Sequence, residues 1–350
     1  MATQSKHVFS LLNAKPFYKI ELGSLTRATA DELPIMKNMS MKRLVLAPGA
    51  IREPTWCANA NELTYCISGK LLVSVLDTGS EFSSFSISSG QMFHIDTGSL
   101  HHIENIGNDE AVLIMSFRHE RPKDFSVHAS FGAMSDAVLG NTYDVDSSAF
   151  SRVPRSTTPK YIVRRQGEPD VPSTANFPNR HKFDVEAMLA PTAITVGSAK
   201  TARSQFWPAL KDISMYSLRI AEDGMREPHW HPDTAEMGYV HMGEARMSVM
   251  DPDGSVDTYY LKPGDVYFIP TAYPHQIEVI GSEEIHFLIF FDQPMPLDVG
   301  YRASATALSR KVLAATFGVS PADLPQFPFT AKDPLIVKRM NPTDPVKSRL

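Results

Sequence analysis

The sequence predicts an all-β protein: two tandem copies of one antiparallel barrel or sandwich, each followed by a short helical segment. Three observations carry this. The chain has 350 residues, and at about 150 residues per domain the length favours two domains. It matches itself at one gapless offset, the 174 positions separating Gly23 from Gly197. Strand-sized apolar runs alternate with turn residues at about 8–12 positions, the rhythm of closed antiparallel folds.

The repeat is specific. Arg52-Glu53-Pro54 matches Arg226-Glu227-Pro228, and Trp56 matches Trp230. Glu62, Gly69, Gly90, His101 and Phe117 match Glu236, Gly243, Gly264, His275 and Phe291. Segments 71–76 and 245–250 are short, apolar or β-branched, and bounded by turns, so they read as strands. Segments 77–80 and 251–254 hold Asp, Gly, Ser and Pro and read as hairpin turns. Each copy ends in a helix-like stretch, 133–143 and 304–317. The expected organisation is a first domain at 1–150, a linker at 151–190, a second domain at 191–320 and a tail at 321–350. Six prolines in that tail (321, 325, 328, 334, 342 and 345) favour a segment that wraps or dangles rather than folds alone.

Composition narrows the function. With 34 basic against 39 acidic residues, a net charge of −5 and a pI near 6.2, a generic basic nucleic-acid binder is excluded. Two cysteines cannot build a disulfide scaffold. If a hairpin turns between them, Cys57 and Cys66 could face each other on paired strands, as reduced thiols. No run approaches the ~20 apolar residues that span a bilayer, and no leader pattern opens the chain. The expectation is a soluble, cytoplasmic protein.

The second copy carries metal-ligand chemistry. His229-Trp230-His231 places two imidazoles on one face of a strand. Glu236 follows across a turn, and His275 comes later, after Gly264 and Pro270. Three imidazoles and one carboxylate suit a divalent first-row metal. On a six-coordinate ion they leave two positions for water, dioxygen or a chelating substrate. No cysteine belongs to the set, which disfavours structural zinc. In the first copy Thr55 and Cys57 stand where the two histidines should be, beside Glu62 and His101. Two ligands rarely hold a divalent ion, although Cys57 could supply a third. The expectation is one metal per chain.

The spacing Gly224, His229, His231, Glu236, Gly243, then Gly264, Pro270, His275, resembles the two cupin motifs. The doubled copy resembles a bicupin, and Arg226-Glu227-Pro228-His229-Trp230-His231 resembles a signature of the oxalate decarboxylase branch. The likeness covers about 20–150 and 195–320. It implies two tandem cupin (double-stranded β-helix, jelly-roll) barrels, manganese at the mouth of one, and an arginine holding a small carboxylate. Iron, nickel, cobalt, copper and zinc also suit such ligands. The pattern is not followed throughout: motif one is a residue short, Ala272 replaces a usual glycine, and Val279 replaces a frequent asparagine. No ligand is lost.

Arg226 and Asp298 are the candidate catalytic residues. Arg226 would grip a substrate carboxylate. Yet Arg52 survives in the copy without the histidines, and strict alternation would turn Arg226 away from the ligand face unless Pro228 breaks it. The branch carries a glutamate lid after its last metal histidine. Here that lid motif is absent, and Asp298 falls near its place. Asp124 at the same offset in the first copy favours a structural aspartate in both. Trp56 and Trp230 alternate away from the ligand positions and read as packing aromatics. The resemblance implies conversion of oxalate to formate and carbon dioxide, with dioxygen as oxidant. The rival expectations are a cupin dioxygenase or oxidoreductase on another small substrate, and a non-enzymatic storage or sugar-binding bicupin. A homo-oligomer is expected, with no nucleic-acid or membrane partner.

Overall fold

The computed structural model describes residues 5–330 and 332–343. It separates into two units, Leu11–Ala187 and Met1–Ser10 joined with Met188–Leu350. Both have one construction: a seven-stranded and a six-stranded antiparallel sheet enclosing an apolar core. In the C-terminal unit the seven-stranded sheet runs Val8–Ser10, Asp265–Ile269, Glu236–Met242, Ile285–Phe291, Ser214–Ile220, Gly197–Ala202, Thr192–Ile194. The six-stranded sheet runs Val256–Leu261, Ala245–Met250, His275–Val279, Gly224–Trp230, Val299–Gly300, with Ile336–Lys338 also pairing Gly224–Trp230. The expected hairpin turns are present, joining Lys70–Thr78 to Glu81–Ser88 and Ala245–Met250 to Val256–Leu261. No helix among the described residues is long and apolar enough to cross a membrane.

Cores form by alternation. On Ala245–Met250, Ala245, Met247 and Val249 are fully buried in the core, as are Phe287 and Phe291, alternating positions of Ile285–Phe291. Truncating one such phenylalanine costs about 3–5 kcal/mol. The expected 304–317 stretch is two short helices, and the expected 133–143 stretch is one, preceded by a separate helix outside it. Val127–Gly132 is followed by Asp136–Tyr143, and Tyr301–Ala307 by Arg310–Phe317. The break falls before Ser135 and Ser309, equivalent positions whose hydroxyls accept from the amides of Val138 and Val312. A serine there caps a new helix rather than continuing an old one.

The segments between and after the barrels are more ordered than their composition suggests. The stretch 151–190 is not simply linker. Ile162–Arg164 pairs with Ala50–Cys57, and Lys182–Asp184 pairs with Gln91–Ile95. The tail wraps onto the barrel as expected, supplying Ile336–Lys338 to Gly224–Trp230; its residues 331 and 344–350 lie outside the described residues. These strands have three residues each, too few for a period to show. They extend the repeat nonetheless, because Tyr161 and Leu335 occupy equivalent positions, both at positive φ (58° and 65°). So do His181 and His7, whose Nδ1 atoms lie 2.8 Å from the carbonyls of His94 and Phe268. Strand 8–10 thus closes the C-terminal unit, and its repeat partner 182–184 closes the N-terminal one. Cys57 and Cys66 also differ from expectation. Both are buried and free, but Cys57 pairs with Asp124 in one sheet and Cys66 with Leu113 in the other.

Candidate metal centre

His229 lies near the end of Gly224–Trp230, His231 just beyond it, and Glu236 and His275 each begin a strand. His229 and His275 are direct cross-strand partners. One ligand atom from each of the four residues lies within 4.8 Å of the others. All four side chains are buried. Asp292 sets the turn before Glu236, accepting from Thr234 Oγ1 at 2.7 Å and from the Ala235 amide at 2.8 Å.

The hydrogen bonds orient the rings. The Nδ1 atoms of His229, His231 and His275 face the carbonyls of Glu227, Leu297 and Tyr273 at 2.8, 2.9 and 2.9 Å. A carbonyl only accepts, so each Nδ1 carries a proton, and in the neutral ring the Nε2 lone pair points to the cluster. There Glu236 Oε2 lies 2.8 Å from His231 Nε2 and 3.3 Å from His275 Nε2. Acceptors that close need a cation among them, either protons or a metal. The outer hydrogen bonds are those expected behind metal-binding imidazoles, so the residues fit a divalent ion.

Charges agree. Burial drives the His229 imidazole well below its ordinary pKa, assisted by Arg226 and the other two histidines. Burial opposes ionisation of Glu236, but His275 and His231 outweigh it and hold the carboxyl well below its usual range. Burial also opposes the charged form of His231, yet Glu236 and Asp298 raise its pKa.

Sequence reasoning missed Tyr267. Its fully buried hydroxyl donates to Glu236 Oε1 at 2.6 Å. Burial, reinforced by Glu236, pushes its pKa well up, so it remains a donor. Gly238 makes room, since a Cβ there would lie 2.1 Å from the Tyr267 ring. The repeat held the signal. The equivalents are Phe93 and Thr64, and in the N-terminal unit Thr64 Oγ1 holds Glu62 Oε1 instead, at 2.7 Å.

Arg226 does face this side of the sheet. The pairing slips between Arg226↔Ile277 and His229↔His275, so three residues advance against two. That bulge resets the alternation. Arg226 donates to Asp298 Oδ1 at 2.6 Å and to the Leu335 carbonyl at 2.9 Å. Asp298 Oδ1 also lies 3.3 Å from His231 Nδ1. Glu227 exchanges two bonds with Leu335. The N-terminal unit repeats this pattern, with Arg52 and Glu53 bonded to Tyr161 and Arg52 3.7 Å from Asp124. The shared Arg-Glu pair therefore fastens the outer strand in both units, which explains its survival without the histidines. Trp230 packs near Tyr301 and Trp56 stacks on Phe125, as expected of packing aromatics.

The cluster opens on a cavity of about 430 Å³ lined by His231, Glu236, Arg226, Asp298, Arg203 and Tyr216, among others. Burial, then Asp298, pushes the Tyr216 hydroxyl up to about 12. The N-terminal unit differs at the same place. The Thr55 hydroxyl is bonded to the Phe125 carbonyl, and Glu62 lies 3.6 Å from His101. Lys42, equivalent to Tyr216, lines that space with its ammonium 2.5 Å from Asp124.

Comparison with known proteins places this geometry in a family. The cupin pattern matches residues 9–150 and 191–324, so the chain belongs to the cupin family, with two copies of its domain. Among individual proteins, oxalate decarboxylase OxdC of Bacillus subtilis is 28% identical over 298 residues, covering 80% of this chain and 74% of its own length. A probable oxalate decarboxylase of Arthroderma benhamiae is 23% identical over 326 residues, covering 90% and 78%. A structure of the B. subtilis enzyme at pH 4.6 superposes with a TM-score of 0.84 at 24% identity, covering 97% of this chain and 89% of that one. Another, from a study of its Mn(II) centres, has a TM-score of 0.83 at 25% identity, covering 97% and 90%.

Proposed function

We propose that this protein is a metal-dependent enzyme of oxalate decarboxylase type, converting oxalate and a proton to formate and carbon dioxide. The observation that carries it is the buried His229–His231–Glu236–His275 cluster opening on a cavity that also presents Arg226. The ion, manganese at one per chain, would supply electrophilic and one-electron chemistry, with dioxygen taking up one electron and returning it, because the net reaction involves no net oxidation. Relatives named oxalate decarboxylase and the Mn(II) centres of a similar structure support this reading. The Lys42 ammonium supports a single site, because a fixed positive charge repels a second cation.

The chain's own residues divide the work. Arg226 neutralises the substrate carboxylate, having given two of its five N–H donors to Asp298 and Leu335. Asp298 holds the proton for formate. It is the cavity carboxylate that shares Arg226 with the substrate and lies 3.3 Å from His231 Nδ1, whereas Asp333 is held by the amides of Gly300 and Ala303. Buried apolar side chains such as Leu218 and Phe291 limit water at the site.

Formate release from oxalate by manganese-loaded protein, with elemental analysis of the same sample, tests the reading. About one manganese per chain together with formate is the expected result. Bound metal without formate above background would sink the activity, and two metals per chain would sink the single-site assignment. Self-association belongs to the same reading. It is supported by an apolar groove of about 650 Å³ lined by Trp230, Tyr301, Leu308 and Phe317, and light scattering reads it.

A further inference from the structure

The cavity is larger than oxalate requires. It measures about 430 Å³ and extends past the cluster and Arg226, whereas oxalate is only two carboxylates joined by a bond. Away from the cluster, its wall is built by Gly197–Ala202 and the residue next in step. Ala199, Thr201 and Arg203 all line the cavity. Thr201 is 4% exposed. Its Oγ1 and the Nε of Arg203 are buried, and no described residue partners either atom. Arg203 otherwise reaches the Tyr216 hydroxyl and lies 5.5 Å over the Phe206 ring. Buried donors without partners mark places where something outside the protein completes the bonding.

The other unit shows a group that fits such donors. The repeat sets Arg27 and Thr29 against Thr201 and Arg203, the same two residue types in reversed order. There they enclose a carboxylate. Arg27 Nε donates to Glu32 Oε1 at 2.9 Å, and Thr29 donates to Glu32 Oε2 through its hydroxyl at 2.6 Å and its amide at 3.0 Å. The equivalent of Glu32 is Phe206, so the C-terminal unit keeps the donors without the acceptor. Charge agrees. With Glu236 on the metal and Asp298 on Arg226, Arg203 and Lys332 face the cavity against Asp333 alone.

We propose that Thr201 and Arg203 form a second carboxylate-binding subsite, and that the site takes linear dicarboxylates longer than oxalate. One carboxylate binds at the cluster and Arg226, and the other takes the place Glu32 fills in the N-terminal unit. The proposal rests on the metal-site reading above and adds a substrate class to it.

Calorimetric titration of the manganese-loaded full chain with dicarboxylates from oxalate to adipate tests this. At least one longer diacid is expected to bind about tenfold more tightly than oxalate. Arg203→Met should weaken that diacid about tenfold while changing oxalate by less than about threefold. Phe206→Glu, at a partly exposed position, supplies the missing carboxylate from the chain and should block the longer diacid while sparing oxalate. The proposal is overturned if no longer diacid outbinds oxalate, if Arg203→Met weakens both equally, or if it weakens neither. Formate assays on the same samples separate the two readings. Arg203-dependent binding without formate leaves the subsite standing and removes the decarboxylase, and formate without such binding does the reverse.

Discussion

Replacing Tyr267 by phenylalanine removes one oxygen atom from a fully buried ring and deprives Glu236 Oε1 of its 2.6 Å donor. A hydrogen bond to a charged group contributes about 1.5–3 kcal/mol. At 1.4 kcal/mol per factor of ten, that is roughly 10–150-fold in metal affinity if the loss falls on the metal-bound form. Partners behind metal ligands elsewhere contribute about 10–100-fold. Phe93 at the equivalent position shows that the barrel accepts the ring without its hydroxyl. The assay is competition against a chelator for manganese, with melting temperature recorded with and without metal. A tenfold or greater loss of affinity is expected, with a smaller metal-induced rise in melting temperature. An affinity within about threefold of wild type would refute the view that Tyr267 aligns Glu236 for the ion.

Three other outcomes follow from the same coordinates. Ala272 sits at φ 66° where the N-terminal unit has Gly98 at φ 83°, so Ala272→Gly should stabilise the protein by about 1 kcal/mol in denaturant titration, and Gly98→Ala should destabilise it by a similar amount. Arg52→Met, which removes a buried guanidinium from the Tyr161 carbonyl and from half-buried Asp124 while Lys42 stays on that carboxylate, should cost about 1–2 kcal/mol of unfolding free energy and leave metal content unchanged. Burial opposes ionisation of Asp124, but Lys42 and Arg52 outweigh it and depress its pKa. Its contribution is therefore complete above about pH 4 and is lost as the pH falls through the lower folded value. Urea unfolding from pH 6 downward should show Asp124→Asn converging on wild type in that acid range, and a constant gap would contradict the assignment.

The duplication, the barrels and the four-residue cluster were legible because strand geometry dictates their spacing. Two histidines two apart share a face, and a gapless offset leaves little freedom for the rest. The side on which Arg226 lies was not legible, since alternation predicts the opposite face and only the bulge at 227–228 reverses it. The outer strands 162–164 and 336–338 escaped because three residues carry no readable period. Tyr267 escaped for another reason. A repeat displays what its two copies share, whereas the informative positions, Tyr267 against Phe93 and Gly238 against Thr64, are where they differ.

The placement of strand 8–10 on the C-terminal unit means that this barrel cannot be cut out of the chain as one continuous piece. A fragment beginning at Met188 would encode the whole metal cluster and yet leave Asp265–Ile269 as a bare sheet edge, open to pairing with other chains. The complementary fragment would carry Val8–Ser10 with nothing to pair against. Dissecting the protein into its barrels therefore calls for grafting, with residues 5–10 fused ahead of 188, rather than a single cut. The dependence runs one way, because the N-terminal unit is the unbroken stretch Leu11–Ala187 and only the C-terminal unit draws a strand from the far end of the chain.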